Sequence, residues 1–109
     1  MNTQKLRESF EAARAKEEEH ELRQLANALA SIGLTFSDAR RINPAGYERG
    51  LAGARERAAW NAAVQVLFVD SPEADDDQGH AKAAAFKAAI QEGFGPLDCV
   101  LAAMRRVQQ

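Results

Sequence analysis

The sequence predicts an all-α fold: one small domain, residues 1–109, of four to five helices packed around a central helix. Three observations predict it. Ala is the most frequent residue, and 28% of residues are charged against 46% hydrophobic. Ala enters a helix without losing side-chain entropy, so this composition favours helices. The stretch ARERAAWNAAVQVLFV, residues 54–69, holds the single Trp. Within it Trp60, Ala63, Val64, Leu67 and Phe68 recur at i, i+3, i+4, i+7 and i+8, the stripe of a helix with one buried face. Finally, Gly and Pro punctuate the chain where helices should stop and start, at Gly33, Asn43-Pro44 and Gly93-Phe94-Gly95-Pro96.

Taken in order, residues 3–32 read as the first helix. Thr3 is placed to cap it, and Arg7/Glu11, Arg14/Glu18 and Glu19/Arg23 are spaced for i, i+4 ion pairs. Its apolar residues form two sets. Leu22, Leu25, Ala26, Leu29 and Ile32 share one face; Leu6, Phe10 and Ala13 share another, pointing in nearly the opposite direction. Either the helix breaks near Lys16–Glu21, or its first turns carry a second contact surface, with residues 1–20 as a candidate projecting arm.

Gly33 ends this helix as a left-handed cap would. Thr35 and Asp38 then match a capping box, which opens a short helix over 36–42. Asn43-Pro44 stops it, because a residue before Pro avoids the helical region. Residues 44–53 read as a backward extension of the central helix, with a loop as the alternative because of three glycines. Gly46, Gly50 and Gly53 stand in register with Arg57, Trp60 and Val64 and would form a smooth face leading to the Trp.

Val64–Val69 has the composition of a strand, but no second strand exists to pair with it, so it reads as helix. DSPEADDDQG, residues 70–79, reads as a polar acidic loop. A helix over 80–93 follows, with Ala83, Phe86, Ala89 and Ile90 expected to face inward. Pro96 opens the last helix, striped by Leu97, Val100, Leu101, Met104 and Val107.

Little in the chain points to chemistry. The acidic loop lacks the Gly and Glu spacing of a calcium loop. His20 and His80 have no partners at zinc spacing, and no Gly-rich phosphate loop is present. The expectation is a non-enzymatic protein with no catalytic residue, cofactor or metal. Net charge is −2 and the isoelectric point about 5.7, which gives no general attraction to nucleic acid or anionic membrane. One Cys, Cys99, suits a reducing compartment. No apolar run approaches the ~20 residues of a membrane span. The N-terminus lacks a signal-peptide core, so a cytoplasmic location is expected.

One segment does look like a known motif. With Gly33 as the turn glycine, Ala28, Ile32, Leu34, Ala39 and Ile42 fall where a helix-turn-helix places apolar residues. LANALASIGLTFSDARRIN, residues 25–43, resembles the helix-turn-helix of phage-repressor-like DNA-binding domains. The resemblance implies that Phe36, Ser37, Arg40, Arg41 and Asn43 face the major groove and phosphates of DNA.

Two further surfaces suit protein contact. The Leu6/Phe10/Ala13 face lies off the register of the core, where it could meet a partner or a second copy as a homodimer, or fold back over the core if the helix kinks. Around the glycine face, Tyr47 is of a residue type that anchors interfaces, and Arg49, Arg55 and Arg57 extend a basic patch from Arg40 and Arg41. The alternative for this patch is internal pairing with Asp38, with the acids at 17–21 or with the 70–77 loop. The function expected is a small helical interaction or regulatory protein that binds a larger protein, as a stoichiometric inhibitor or adaptor. The competing expectation is a DNA-binding regulator using residues 25–43.

Overall fold

A computed structural model describes residues 3–69 and 76–108. They form five α-helices: α1 (Thr3–Ala30), α2 (Phe36–Ile42), α3 (Pro44–Val64), α4 (Asp76–Gln91) and α5 (Pro96–Gln108). A π-helical turn, Gln65–Val69, continues α3. No strand occurs among the described residues. α3 is the central helix, packing most extensively on α1 and also against α2 and α5, while α4 pairs chiefly with α5. The acidic segment 70–75, including Asp70, Glu73 and Asp75, lies outside the described residues. α4 begins at Asp76, four residues before the expected start at 80.

α1 is one unbroken helix across Lys16–Glu21, so the two apolar sets face two different neighbours. Leu6 and Phe10 are buried in the main core with Ala62, Ala63, Val66, Leu67, Val100 and Ala103. This corrects the expectation of a projecting arm over residues 1–20: from Leu6 onward the helix is docked. It also removes Leu6 and Phe10 as partner-binding residues, since neither side chain reaches the surface.

Between the two sets the α1–α3 seam is ionic. Glu18 lies 3.6 Å from Arg55, and Arg57 donates to the buried Glu21 at 3.1 Å. Further along α1, Leu25 and Leu29 reach α2 and the start of α3. The contact line thus walks around α1 as rows of residues four apart do on any helix.

The buried face of α3 is also rotated from the expected one. Ala54, Ala58, Ala62 and Ala63 are completely buried, with Val66 and Leu67 behind them in the π turn. Trp60 is only half-buried, edge-on to Phe86 with ring centroids 6.1 Å apart, and Val64 is 45% exposed. Small side chains let α1 come close, and close approach sets which face is inside. In α4, Ala89 is buried and Phe86 half-buried, but Ala83 and Ile90 face outward, contrary to expectation. The Lys82 ammonium takes the inward place instead. It donates to the carbonyl of Leu67, at the C-terminal end of the π turn where a cation complements the helix dipole, and its burial pushes its pKa down.

α1 and α4 end alike. Leu34 N–H donates to Leu29 O and Gly33 N–H to Ala30 O; Phe94 N–H donates to Ala89 O and Gly93 N–H to Ile90 O. These are Schellman caps, and their glycines take φ of +79° and +88°, where a Cβ would be strained. The first cap turns Leu34 back beside Leu29.

Candidate functional site

The molecule is elongated, with principal extents of 52 × 25 × 24 Å. Its radius of gyration, 16.9 Å, exceeds the ~13 Å of a compact chain this long. The elongation has a cause. All buried residues of α1 lie at or before Glu21, α2 has none, and those of α3 begin at Ala54. The end built from the second half of α1, from α2 and from Pro44–Gly53 therefore has no closed core.

In its place is an open apolar cleft of 310 Å³. Leu25 and Leu29 form one wall. Leu34, Ala39 and Ile42 form the second. Gly46, Tyr47 and Gly50 supply the floor from α3. Ile42 is 61% exposed, and Ile32, in the α1–α2 turn nearby, is 70% exposed. Both side chains thus stand open to water beside the apolar hollow. A wider hollow of 550 Å³ lies between α1 and the π turn, but Lys16, Glu17 and His20 line it and no bulky apolar side chain does.

Local caps hold the cleft in shape. Thr35 and Asp38 form the expected capping box: the Asp38 N–H donates to Thr35 Oγ1 at 3.2 Å and the Thr35 N–H donates to Asp38 Oδ2 at 3.0 Å. Asn43 accepts from the Gly46 N–H at 3.1 Å and so caps α3. A Cβ at Gly46 would fall 2.6 Å from the Asn43 amide nitrogen, which explains that glycine. Tyr47 is pinned from two sides, by the edge of Phe36 at 6.1 Å and by the Arg40 guanidinium 5.4 Å over its ring.

The Thr35 backbone N–H, then its hydroxyl, then Arg41 hold the Asp38 carboxyl below its ordinary value of 3.8. A carboxylate depressed by folding contributes its full stabilisation above the unfolded value and loses it as pH falls through the lower folded value. Acid is therefore expected to fray α2 and displace the Ala39/Ile42 wall. A Cα chemical-shift titration from about pH 6 to about pH 2 checks this: helical shifts for Ser37–Arg41 should fade below 3.8. Asp38→Asn should show the weaker cap already at neutral pH, and an acid-insensitive α2 would contradict the account.

The residues singled out from sequence divide into three groups. Leu6 and Phe10 are core. Arg55 and Arg57 are half of the ionic seam with Glu18 and Glu21, and Arg41 pairs with Asp38 at 3.4 Å, so internal pairing accounts for much of the basic patch. Tyr47 lies in the cleft, and Arg49 is exposed beside it. Of the residues expected to face DNA, Phe36 and Arg40 pack on Tyr47 and Asn43 caps α3, while Ser37 is exposed. Sequence reasoning did not single out Leu25, Leu29, Leu34 or Ile42 as a site, because an apolar stripe looks the same whether a neighbour covers it or leaves it open.

Cys99 is fully buried in α5, its thiol directed at the Phe94 carbonyl at 3.6 Å and pushed up in pKa by burial and by Asp98. Among the described residues no helix is long and apolar enough to cross a membrane. Compared with protein-family models, with curated proteins and with solved structures, the chain matches none.

Proposed function

We propose that the protein is a non-enzymatic interaction module that binds a segment of a larger protein in the α1–α2–α3 cleft, as an adaptor or stoichiometric inhibitor. The observation that carries this reading is the cleft itself: an open apolar hollow, with exposed Ile32 and Ile42, at an end of the molecule that has no closed core of its own. The same reading takes the protein as cytoplasmic, on its lone buried thiol.

Gly50 supports it. Gly50 does not adopt positive φ, and a Cβ there would meet nothing within 4 Å. Inside a helix Gly costs about 1 kcal/mol relative to Ala. Neither backbone nor packing asks for this glycine, yet it floors the cleft. Gly50→Ala is expected to stabilise the fold by up to about 1 kcal/mol in urea unfolding, while narrowing the cleft and weakening whatever binds there. Stability gained with binding lost is the signature of a site that trades one for the other.

The test is selection of peptides from a displayed library on the immobilised wild-type chain, counter-screened against Ile42→Asp and Gly50→Ala. Peptides that lose binding to both variants support the reading. No enrichment, or enriched peptides indifferent to Ile42→Asp, overturns it. Mixed duplex DNA in low and moderate salt serves as the competing arm. Salt-sensitive binding abolished by Arg40→Glu/Arg41→Glu would favour the helix-turn-helix alternative.

A further inference from the structure

Resting on that reading, we propose that the occupant of the cleft is an acidic amphipathic helical segment of another protein. The argument is charge complementarity around an apolar hollow. The chain as a whole carries a net charge of −2, yet residues 22–53 hold Arg23, Arg40, Arg41 and Arg49 against only Asp38 and Glu48. Pairing within the chain leaves Arg40 and Arg49 against Glu48. Arg23 is held by Glu19 and Arg41 by Asp38. Arg40 and Arg49 meet no carboxylate among the described residues.

Direction matters as much as number. With successive side chains about 100° apart on a helix, Gly46, Tyr47 and Gly50 share the cleft face of α3. Arg49 then flanks that face, whereas Glu48 points to the opposite side. Arg40 stands on Tyr47, at the edge of the same floor. Two cations with no acidic partner among the described residues thus border a hollow whose lining is uncharged and, Asn43 aside, largely apolar.

The volume limits what fits. At 310 Å³ the cleft is at the low end of the ~300–1,000 Å³ typical of ligand sites, so it takes anchor side chains rather than a folded surface. An amphipathic helix offers such anchors at i, i+3 or i+4, with charges flanking them. Acidic flanks would lie over Arg40 and Arg49. A second copy of this chain fits less well. A two-fold contact through the cleft would bring Arg40 and Arg49 toward the same residues of the other copy, and facing like charges is costly.

The experiment uses the isotopically labelled chain and two synthetic helical peptides. Both carry the same leucine stripe; one has glutamates and the other lysines on its polar face. The glutamate peptide is expected to shift the amide resonances of Leu29, Ile42 and Gly50. It should bind about tenfold tighter than the lysine peptide in dilute buffer, an advantage that shrinks as salt rises. Arg40→Glu/Arg49→Glu should reverse the preference. Equal binding of both peptides would overturn the acidic-partner inference and leave the interaction reading standing. If neither peptide perturbs the cleft, the interaction reading itself falls. Sedimentation of the chain alone is the last arm. A dimer dissolved by Ile42→Asp would name a second copy as the occupant and overturn the proposal; a monomer supports it.

Discussion

Replacing Phe10 with Ala is expected to lower the unfolding free energy by about 3–5 kcal/mol, the range for deleting a buried aromatic side chain. Phe10 is 4% exposed and belongs to the cluster where α1, the end of α3, the π turn and α5 meet. Its loss leaves a void that no single helix can close, because four elements frame it. A domain of this size holds on the order of 5–15 kcal/mol in total, so one side chain accounts for a large share. Urea unfolding followed by circular dichroism measures the change, and a fall in Tm of more than about 10 °C should accompany it. The double variant Leu6→Glu/Phe10→Glu should not fold at all, since it places two carboxylates in a core with no partners for them. If Phe10→Ala cost less than about 1 kcal/mol, the first turns of α1 would be undocked, and the face they carry would again be free for a partner.

Helix boundaries were largely legible because local chemistry sets them. The Thr35/Asp38 box, the Asn43-Pro44 junction and the left-handed Gly33 and Gly93 each act within a few residues. The direction of each buried face was less legible. Reading inward faces from large apolar residues put Trp60 and Val64 in the core, whereas the α1–α3 seam is lined by alanines and the larger residues sit at its margins or outside. The seam also crosses an ionic stretch, Glu18–Arg55 and Glu21–Arg57, which in sequence looks like solvated surface. That stretch hid the continuity of α1 and made Leu6 and Phe10 look detached.

The candidate site was legible in pieces. Tyr47 and the glycine face of α3 stood out by residue type and spacing. Leu25 and Leu29 did not, because whether a stripe is covered depends on where the next helix stops. Here α2 is seven residues long and cannot cover it. The π turn and the inward Lys82 had no signal at all: both depend on a neighbour distant in sequence, Lys82 reaching back to the Leu67 carbonyl.

Ala58→Leu should destabilise the protein by about 1–3 kcal/mol or more, although it replaces a small apolar residue with a larger one. Ala58 has no exposed surface and lies between Ala54 and Ala62, equally buried, on the helix that packs most extensively against α1. A leucine there has no room unless α1 moves away. Leu and Ala differ little in helix propensity, so the local conformational contribution is nearly neutral and the measured loss reports packing. Ala52→Leu is the control, on the exposed side of the same helix, and should change stability by no more than about 0.5 kcal/mol. The effect should also reach the cleft. Displacing α1 lengthens the Glu18–Arg55 and Glu21–Arg57 contacts and carries Leu25 and Leu29, one wall of the hollow, away from Gly46 and Gly50. Ala58→Leu is therefore expected to shift the amide resonances of Leu29 and Gly50 and to weaken peptides selected on the wild-type chain, without touching a residue that lines the cleft. If its urea midpoint matched that of Ala52→Leu, α1 and α3 would not be in the close approach that the buried alanines imply. The cleft would then owe its shape to the caps on α2 and α3 alone.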